Sequence, residues 1–120
     1  MNQSLSRRER LRTLGAIRRL FESGEGGFVY PFRYLCFAEA DTMPSVRLLF
    51  SVPKRYHKRA NKRNLLKRRM REAYRLNKAE LGEHSASMDL ALIYSAKEVL
   101  SYARMEHAIK KILAKVAENV

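Results

Sequence analysis

The chain has 120 residues, 46% of them hydrophobic, and a formal net charge of +13 at pH 7, which suits one basic domain with a modest core and argues against disorder along the whole chain. Cys36 is the only cysteine, which excludes an internal disulfide and favours a reducing compartment. No apolar run has the length of a signal peptide or of a membrane span, so we expect a cytoplasmic protein without a membrane partner.

The amino-terminal part of the chain predicts a basic arm followed by one helix. We interpret residues 1–8 as a loose, flexible arm of a single domain that spans residues 1–120. Over residues 13–23 the apolar side chains have helical spacing, and Gly24 follows as a stop signal. The sequence GEGG at residues 24–27 indicates a turn or a flexible loop.

Two strands joined by a short connection are predicted next. Residues 32–39 are rich in aromatic side chains, and their alternation puts Phe32, Tyr34 and Cys36 on one face. A turn and a second strand at residues 45–52 follow. Because the connection is so short, we expect these two strands to pair antiparallel.

The carboxyl-terminal part predicts a third strand and a last helix. MDLALIYS at residues 88–95 has the composition of a strand, and Ser101 is expected to cap a helix over residues 102–118. The order that the residues alone indicate is therefore α-β-β-α-β-α. This order is typical of an α+β fold in which helices pack on a small sheet.

The excess of positive charge lies in one stretch, KRYHKRANKRNLLKRRMREAYR at residues 54–75. Eleven of its 22 residues are basic and one is acidic, which leaves 14 basic against 11 acidic residues in the rest of the chain. A local excess of charge predicts a local polyanionic partner. RNA or DNA is the first candidate, and an anionic membrane surface is the second.

As a helix over residues 59–78, the basic stretch separates into two sides. Leu66, Met70 and Ala73 fall within about 60° of one another, with Tyr74 on their flank. The opposite side carries Asn64, Lys67, Arg68, Arg71, Arg75 and Lys78. Like charges spaced four residues apart weaken the helix by a few tenths of a kcal/mol per pair. A bound polyanion would relieve that repulsion.

Other interpretations of the basic helix have to be compared with nucleic-acid binding. A charge run is usually a solvated face, and calmodulin targets and membrane-surface helices are also basic on one side. Those targets are normally free segments, whereas this helix lies between two strands and has an apolar back. A DNA-binding helix in the major groove is disfavoured because no helix-turn-helix or dimerising heptad is evident. Nuclear targeting stays open on composition alone.

Residues 60–75, ANKRNLLKRRMREAYR, together with FSVPKR at residues 50–55, resemble the signature of the bacterial ribonuclease P protein family, R-N-x-x-K-R-x-x-R-[EQ]-A-[FY]. The matching positions are Arg63, Asn64, Lys67, Arg68, Arg71, Glu72, Ala73 and Tyr74. RLRTLGAIRRLFESG at residues 10–24 is similar to the first helix of that family, with Ile17 in place of the first expected Phe and Phe21 as the second. Leu65 departs from the signature, because the family has a third basic residue there. Pro53 replaces a Ser, and Tyr56 and His57 stand where a Gly is expected.

The resemblance implies an α+β fold with a small, mostly antiparallel four-stranded sheet packed with helices in the order α-β-β-β-α-β-α. It also implies a left-handed β-α-β crossover, against the general right-handed rule. The additional short strand is expected at residues 28–29.

The resemblance further implies that the chain is the protein subunit of ribonuclease P. Such a subunit binds the catalytic RNA and the 5′ leader of precursor tRNA, and the RNA hydrolyses the phosphodiester that joins the leader to the tRNA. Mg²⁺ is expected to bind mainly through the RNA and not to the protein alone, and no obligate protein partner is expected. The alternative is a general RNA-binding or ribosomal protein without a role in cleavage.

Two sets of site residues follow from the basic helix and the resemblance. The residues expected to bind RNA are Lys54, Arg55, Arg59, Lys62, Arg63, Asn64, Lys67, Arg68, Arg71 and Arg75. The residues expected in a leader-binding cleft, between the helix and the open face of the sheet, are Ile17, Phe21, Phe32 and Tyr34. For the aromatic residues, packing in the core is the alternative, since strand alternation does not say which face is covered.

No catalytic or metal-binding group of the protein stands out. His57, His84 and His107 have no ligand spacing with one another or with a pair of carboxylates. We expect each histidine at the surface. No arrangement of a nucleophile and a base is evident either.

Overall fold

The computed structural model describes residues 10–11, 13–40, 45–82 and 86–118. Its helices and strands, in chain order, are α1 (Leu14–Ser23), β1 (Glu25–Val29), β2 (Phe32–Ala40), β3 (Val46–Ser51), α2 (Ala60–Asn77), β4 (Ala86–Tyr94) and α3 (Tyr102–Glu118). A short 3-10 helix, Lys78–Leu81, extends α2. The α+β class and the order α-β-β-β-α-β-α are confirmed. The arm predicted at residues 1–8 lies outside the described residues.

The first strand corrects one prediction and confirms another. The strand expected at residues 28–29 is present, but it begins at Glu25 and pairs antiparallel with β2, so the GEGG sequence is not a loop beyond Gly24. Gly27 permits this pairing because a Cβ there would lie 2.4 Å from atoms of the Tyr34 ring. The absence of a side chain at Gly27 therefore lets the Tyr34 ring lie directly against β1.

The sheet has the strand order β1-β2-β4-β3. The prediction that β2 and β3 pair antiparallel is wrong, since β4 lies between them, antiparallel to β2 and parallel to β3. Leu90, Ala91 and Leu92 of β4 are fully buried, as expected of a central strand with both faces covered. The β3–α2–β4 segment is the β-α-β unit that the resemblance implies, while its left-handed crossover stays a prediction.

Helices cover the two faces of the sheet unequally. α2 and α3 pack on one face over a large core that includes Leu48, Leu66, Met70, Leu90 and Ile109. α1 packs on the other face over a small cluster made of Leu11, Leu20, Leu35 and Ala91. Much of the second face thus stays accessible on either side of α1. Within the described part of the chain, no helix is long and apolar enough to span a membrane.

Local signals explain which side α2 buries and where α3 begins. Leu66, Met70, Ala73 and Tyr74 form the buried side of α2, as its periodicity predicts. Ser101 Oγ accepts a hydrogen bond from the backbone N–H of Arg104 at 3.3 Å, which confirms the predicted cap of α3.

Candidate nucleic-acid interface

The solvent side of α2 and the loop before it form a continuous basic surface, which we call the α2 surface. Seven of the residues predicted to bind RNA are exposed here: Lys54, Arg55, Arg59, Lys62, Asn64, Arg68 and Arg71. The other three, Arg63, Lys67 and Arg75, are partly buried. The stretch from Asn64 to Arg75 is roughly 16 Å long at 1.5 Å per residue, which is long enough for several phosphates.

One acidic residue lies within this surface and pairs with Arg75. The Arg75 guanidinium donates to both carboxylate oxygens of Glu72, with Nε 3.1 Å from Oε2. These hydrogen bonds lower the pKa of Glu72 below its usual value, so Glu72 stays ionised at neutral pH. Arg75 is therefore partly neutralised, and the uncompensated charge lies nearer the middle and the start of the helix.

Arg63 has a structural role besides its charge. Its Nη1 donates to the carbonyl of His57 at 3.0 Å and to the carbonyl of Lys58 at 2.7 Å. These bonds hold the basic loop before α2 against the first turn of the helix. The exposed cations of the loop and those of α2 consequently form one surface with a fixed relative position.

The prediction that His57 lies at the surface is wrong, since its exposed fraction is only 7%. Its Nε2 is 2.7 Å from the carbonyl oxygen of Ala96, and its ring meets the Tyr94 ring edge-on at 5.5 Å. His57 thus fills the space between the basic loop and the connection from β4 to α3. His107 is exposed as expected, and His84 lies outside the described residues. Within the described ranges, no three His, Cys, Asp or Glu side chains are grouped so that they could hold a metal ion.

A groove of about 380 Å³ runs along the outer edge of β3, beside the α2 surface. Residues 10–11 form one wall, since Leu11 N–H donates to the Leu48 carbonyl at 2.8 Å and Arg10 bridges to β3. Lys67 and Arg71 form the opposite wall. This β3 groove brings cations from α2 and from the amino-terminal segment to the two sides of one channel.

The four residues predicted for a leader-binding cleft do not come together, which corrects that prediction. Ile17 and Phe21 lie on α1, and Phe21 is 52% exposed. Phe32 is fully buried in the core under α2 and α3, and Tyr34 packs partly buried against the same core. Strand alternation put Phe32 and Tyr34 together correctly, but their face is the one that the two long helices cover. Of these four residues, only Phe21 on α1 has an exposed aromatic ring.

Comparison with known proteins identifies the family of the chain. A family model described as Ribonuclease P matches residues 5–117. The chain belongs to the ribonuclease P protein family.

Relatives and solved structures agree with this assignment to the ribonuclease P protein family. The ribonuclease P protein component of Porphyromonas gingivalis (strain ATCC 33277) is 35% identical over 97% of this chain and 88% of that protein. The corresponding component of Chlorobaculum tepidum is also 35% identical, over 97% of this chain and 84% of that protein. The solved ribonuclease P protein of Thermotoga maritima superposes with a TM-score of 0.73 at 26% identity and covers 90% of this chain and 97% of that one.

Sequence reasoning missed a charged cluster on the α1 side of the sheet. Asp89 is buried and accepts two hydrogen bonds from Arg47, at 2.8 and 3.0 Å. Arg19 of α1 lies 3.6 Å from the same carboxylate and 4.7 Å above the centre of the Phe37 ring. The signal for this cluster was the register of β3 against β4, which puts Arg47 opposite Asp89. The expected pairing of β2 with β3 concealed this signal, because it did not place β3 beside β4.

Proposed function

We propose that this member of the ribonuclease P protein family binds the catalytic RNA of ribonuclease P and holds the 5′ leader of precursor tRNA during its removal. The observation that carries the proposal is the division of α2 into a buried apolar side and an exposed cationic side. Glu72 is the one acidic residue of the stretch over residues 54–75. Cations of this kind bind RNA phosphates with little dependence on sequence.

The geometry supports separate roles for the two surfaces. The α2 surface is convex and suits the backbone of a folded RNA. The β3 groove and the accessible face beside α1 are concave, so they suit a single strand such as the leader. Phe21 of α1 offers an exposed ring for stacking, and Arg19 of the same helix lies over the Phe37 ring on that face. Phe32 and Tyr34 are not part of the proposed leader site, because both pack in the core under α2 and α3.

The chemistry of cleavage belongs to the RNA in this proposal. Mg²⁺ would bind mainly to RNA phosphates, and the protein cations would reduce the repulsion between those phosphates. The protein should therefore lower the Mg²⁺ concentration that the RNA needs for cleavage. The reaction would take place in the cytoplasm, without a membrane partner or an obligate protein partner.

Reconstitution tests the proposal directly. The full-length protein is mixed with a bacterial ribonuclease P RNA at low Mg²⁺, and cleavage of precursor tRNA is followed. We expect faster cleavage with the protein and a lower Mg²⁺ midpoint. Binding of the complex to precursor tRNA is compared with its binding to mature tRNA that lacks the leader. Equal affinity for both tRNAs and no stimulation of cleavage would leave only a general RNA-binding protein.

The exposed ring on α1 provides a matched test of leader binding. Replacing Phe21 with Ala should reduce the preference for precursor over mature tRNA about tenfold, since stacking on one base contributes about 1–3 kcal/mol. Leu14→Ala is the control, because Leu14 is also exposed on α1 but has no aromatic ring. If the two variants lower the preference equally, Phe21 does not stack on the leader.

A further inference from the structure

A second groove lies at the edge of the sheet opposite to the β3 groove. β1 is the outer strand there, and α3 is the helix that packs beside it. Between the turn after β1 and the first half of α3 the structure forms a groove of about 310 Å³. We call it the α3 groove. The proposed function makes no use of it.

Two cations and one histidine line the α3 groove along one side of the helix. Arg104, His107 and Lys111 are spaced by three and four residues, so they share one face of α3. All three side chains are exposed. Val29 and Ala108 contribute an apolar floor. None of the described residues that line the groove is acidic.

Two aromatic rings stand exposed at the same edge. Tyr30 lines the groove and is 46% exposed, while Phe28 of β1 is 56% exposed. The ring centres lie 6.4 Å apart in an edge-on arrangement. The hydroxyl of Tyr30 donates to a Glu98 carboxylate oxygen at 3.2 Å, which holds the ring in place beside α3. The two adjacent rings therefore form an exposed apolar patch, which is a kind of surface that binds partners.

We propose that the α3 groove binds a single-stranded RNA segment, with a base stacked on Tyr30 and phosphates beside Arg104 and Lys111. An acidic peptide would use the cations but would gain little from the exposed ring. A duplex keeps its bases paired and stacked, so it offers no free base for Tyr30. A ring beside a row of cations is the combination with which proteins bind single strands without sequence preference.

The position of the α3 groove gives the protein a further RNA contact, at the edge of the sheet opposite to the α2 surface. The α2 surface adjoins β3, and the α3 groove adjoins β1, at opposite edges of the same sheet. A single RNA that reaches both sites would bind more tightly than either contact allows, because the second contact forms intramolecularly. This inference goes beyond the proposed function and requires only that single-stranded RNA is present.

Binding of a fluorescent ten-nucleotide oligouridine to the full-length protein tests the proposal. The α2 surface and the proposed leader site are first weakened with Lys62→Gln, Arg68→Gln, Arg71→Gln and Phe21→Ala, so that the α3 groove dominates the remaining affinity. In that background, Tyr30→Leu should weaken binding about tenfold, as expected for the loss of one stacked base. Tyr30→Phe should keep the affinity, because it keeps the ring. Circular dichroism verifies that each variant is folded.

The cations of the groove have a matched control elsewhere on the protein. Changing both Arg104 and Lys111 to Gln should lower the slope of log affinity against log salt by about 1.4, since each phosphate contact with a single strand contributes about 0.7. Changing both Lys97 and Lys110 to Gln removes the same charge from exposed positions outside the groove. A smaller change is expected for this control pair.

Two results would overturn the proposal. One is equal weakening by the groove pair and the control pair together with an unchanged affinity of Tyr30→Leu. The other comes from photocrosslinking of an oligouridine that contains 4-thiouridine to the unmodified protein. We expect crosslinks to Tyr30 or to residues 103–111, and crosslinks confined to α1, α2 and the β3 groove would contradict the proposal. Neither result depends on cleavage of precursor tRNA, so a failure here leaves the proposed function standing.

Discussion

Substitutions at two neighbouring residues of α2 should distinguish an effect on stability from an effect on RNA binding. Met70 is fully buried under the helix, and Arg71 points to solvent and lines the β3 groove. Because they are adjacent in the chain, substitutions at the two positions disturb the same turn of the same helix. Met70→Ala and Arg71→Gln are therefore matched perturbations of opposite sides.

The expected magnitudes follow from the two environments. Removing the buried Met70 side chain should lower the free energy of unfolding by about 2–5 kcal/mol. For a domain of this size, that corresponds to a fall in Tm of roughly 10–20 °C. Arg71→Gln should change stability by less than about 0.5 kcal/mol, because the position is exposed and the like charges around it repel one another. It should instead reduce the salt slope of RNA binding by about 0.7–0.9, which is the contribution of one phosphate.

Thermal unfolding followed by circular dichroism and RNA binding at four salt concentrations measure both quantities on the same samples. Met70→Ala should keep the wild-type salt slope at a temperature where it is folded. Loss of stability in Arg71→Gln as large as that in Met70→Ala would refute the division of α2 into two sides. An unchanged salt slope in Arg71→Gln would place its guanidinium in solvent, away from the RNA.

Three further predictions concern individual contacts. Burial, reinforced by nearby carboxylates, raises the pKa of the Cys36 thiol to about 11. At pH 8 iodoacetamide should therefore alkylate Cys36 on the order of a hundred times more slowly in the folded than in the unfolded chain. Similar rates would show that the thiol is not buried. Asp89→Asn should lower the free energy of unfolding in urea by about 1–3 kcal/mol, because it removes the charge that two arginines contact. Glu39→Gln, at the exposed end of the same cluster, should have little effect. Equal losses of stability would contradict the role of Asp89 as the buried partner of both arginines. Arg63→Ala should lower Tm because two backbone carbonyls lose their donor, and Lys62→Ala, which removes the same charge, should not; if neither lowers Tm, the loop before α2 does not depend on Arg63.

Local patterns in the sequence predicted the elements of this fold, and long-range pairing limited the prediction of their arrangement. The two sides of α2 were predictable because a helix repeats every 3.6 residues and its apolar positions are close in the chain. The strand order was not predictable, because β4 begins 46 residues after β2 ends and takes the place beside β2 that β3 was expected to occupy. A short connection favours a hairpin only when no other, more apolar strand takes the central position between the two strands.

Burial of particular side chains was the second limit. Alternation placed Phe32 and Tyr34 on one face, but which face the helices cover depends on where α2 and α3 return to the sheet. The burial of His57 was unpredictable for the same reason, since the sequence alone predicts that a histidine within a basic loop is exposed. Its burial depends on the Ala96 carbonyl, 39 residues away along the chain. The basic surface was predictable because exposure of so much charge is the default.

The structure also changes what the family signature means in this chain. Successive residues of a helix point about 100° apart, so Arg63 and Leu65 lie on opposite flanks of Asn64. The three side chains therefore cannot face the same partner. Arg63 is bound to the loop before α2. On the other flank, Arg69 lies one turn after Leu65 and donates to the Leu100 carbonyl at 2.9 Å, toward the start of α3. The flank that carries Leu65 thus adjoins a contact within the protein, and the centre of the exposed side consists of Asn64 and Arg68. A basic residue at position 65 would therefore widen the α2 surface toward α3, whereas its absence leaves the cations concentrated toward the β3 groove.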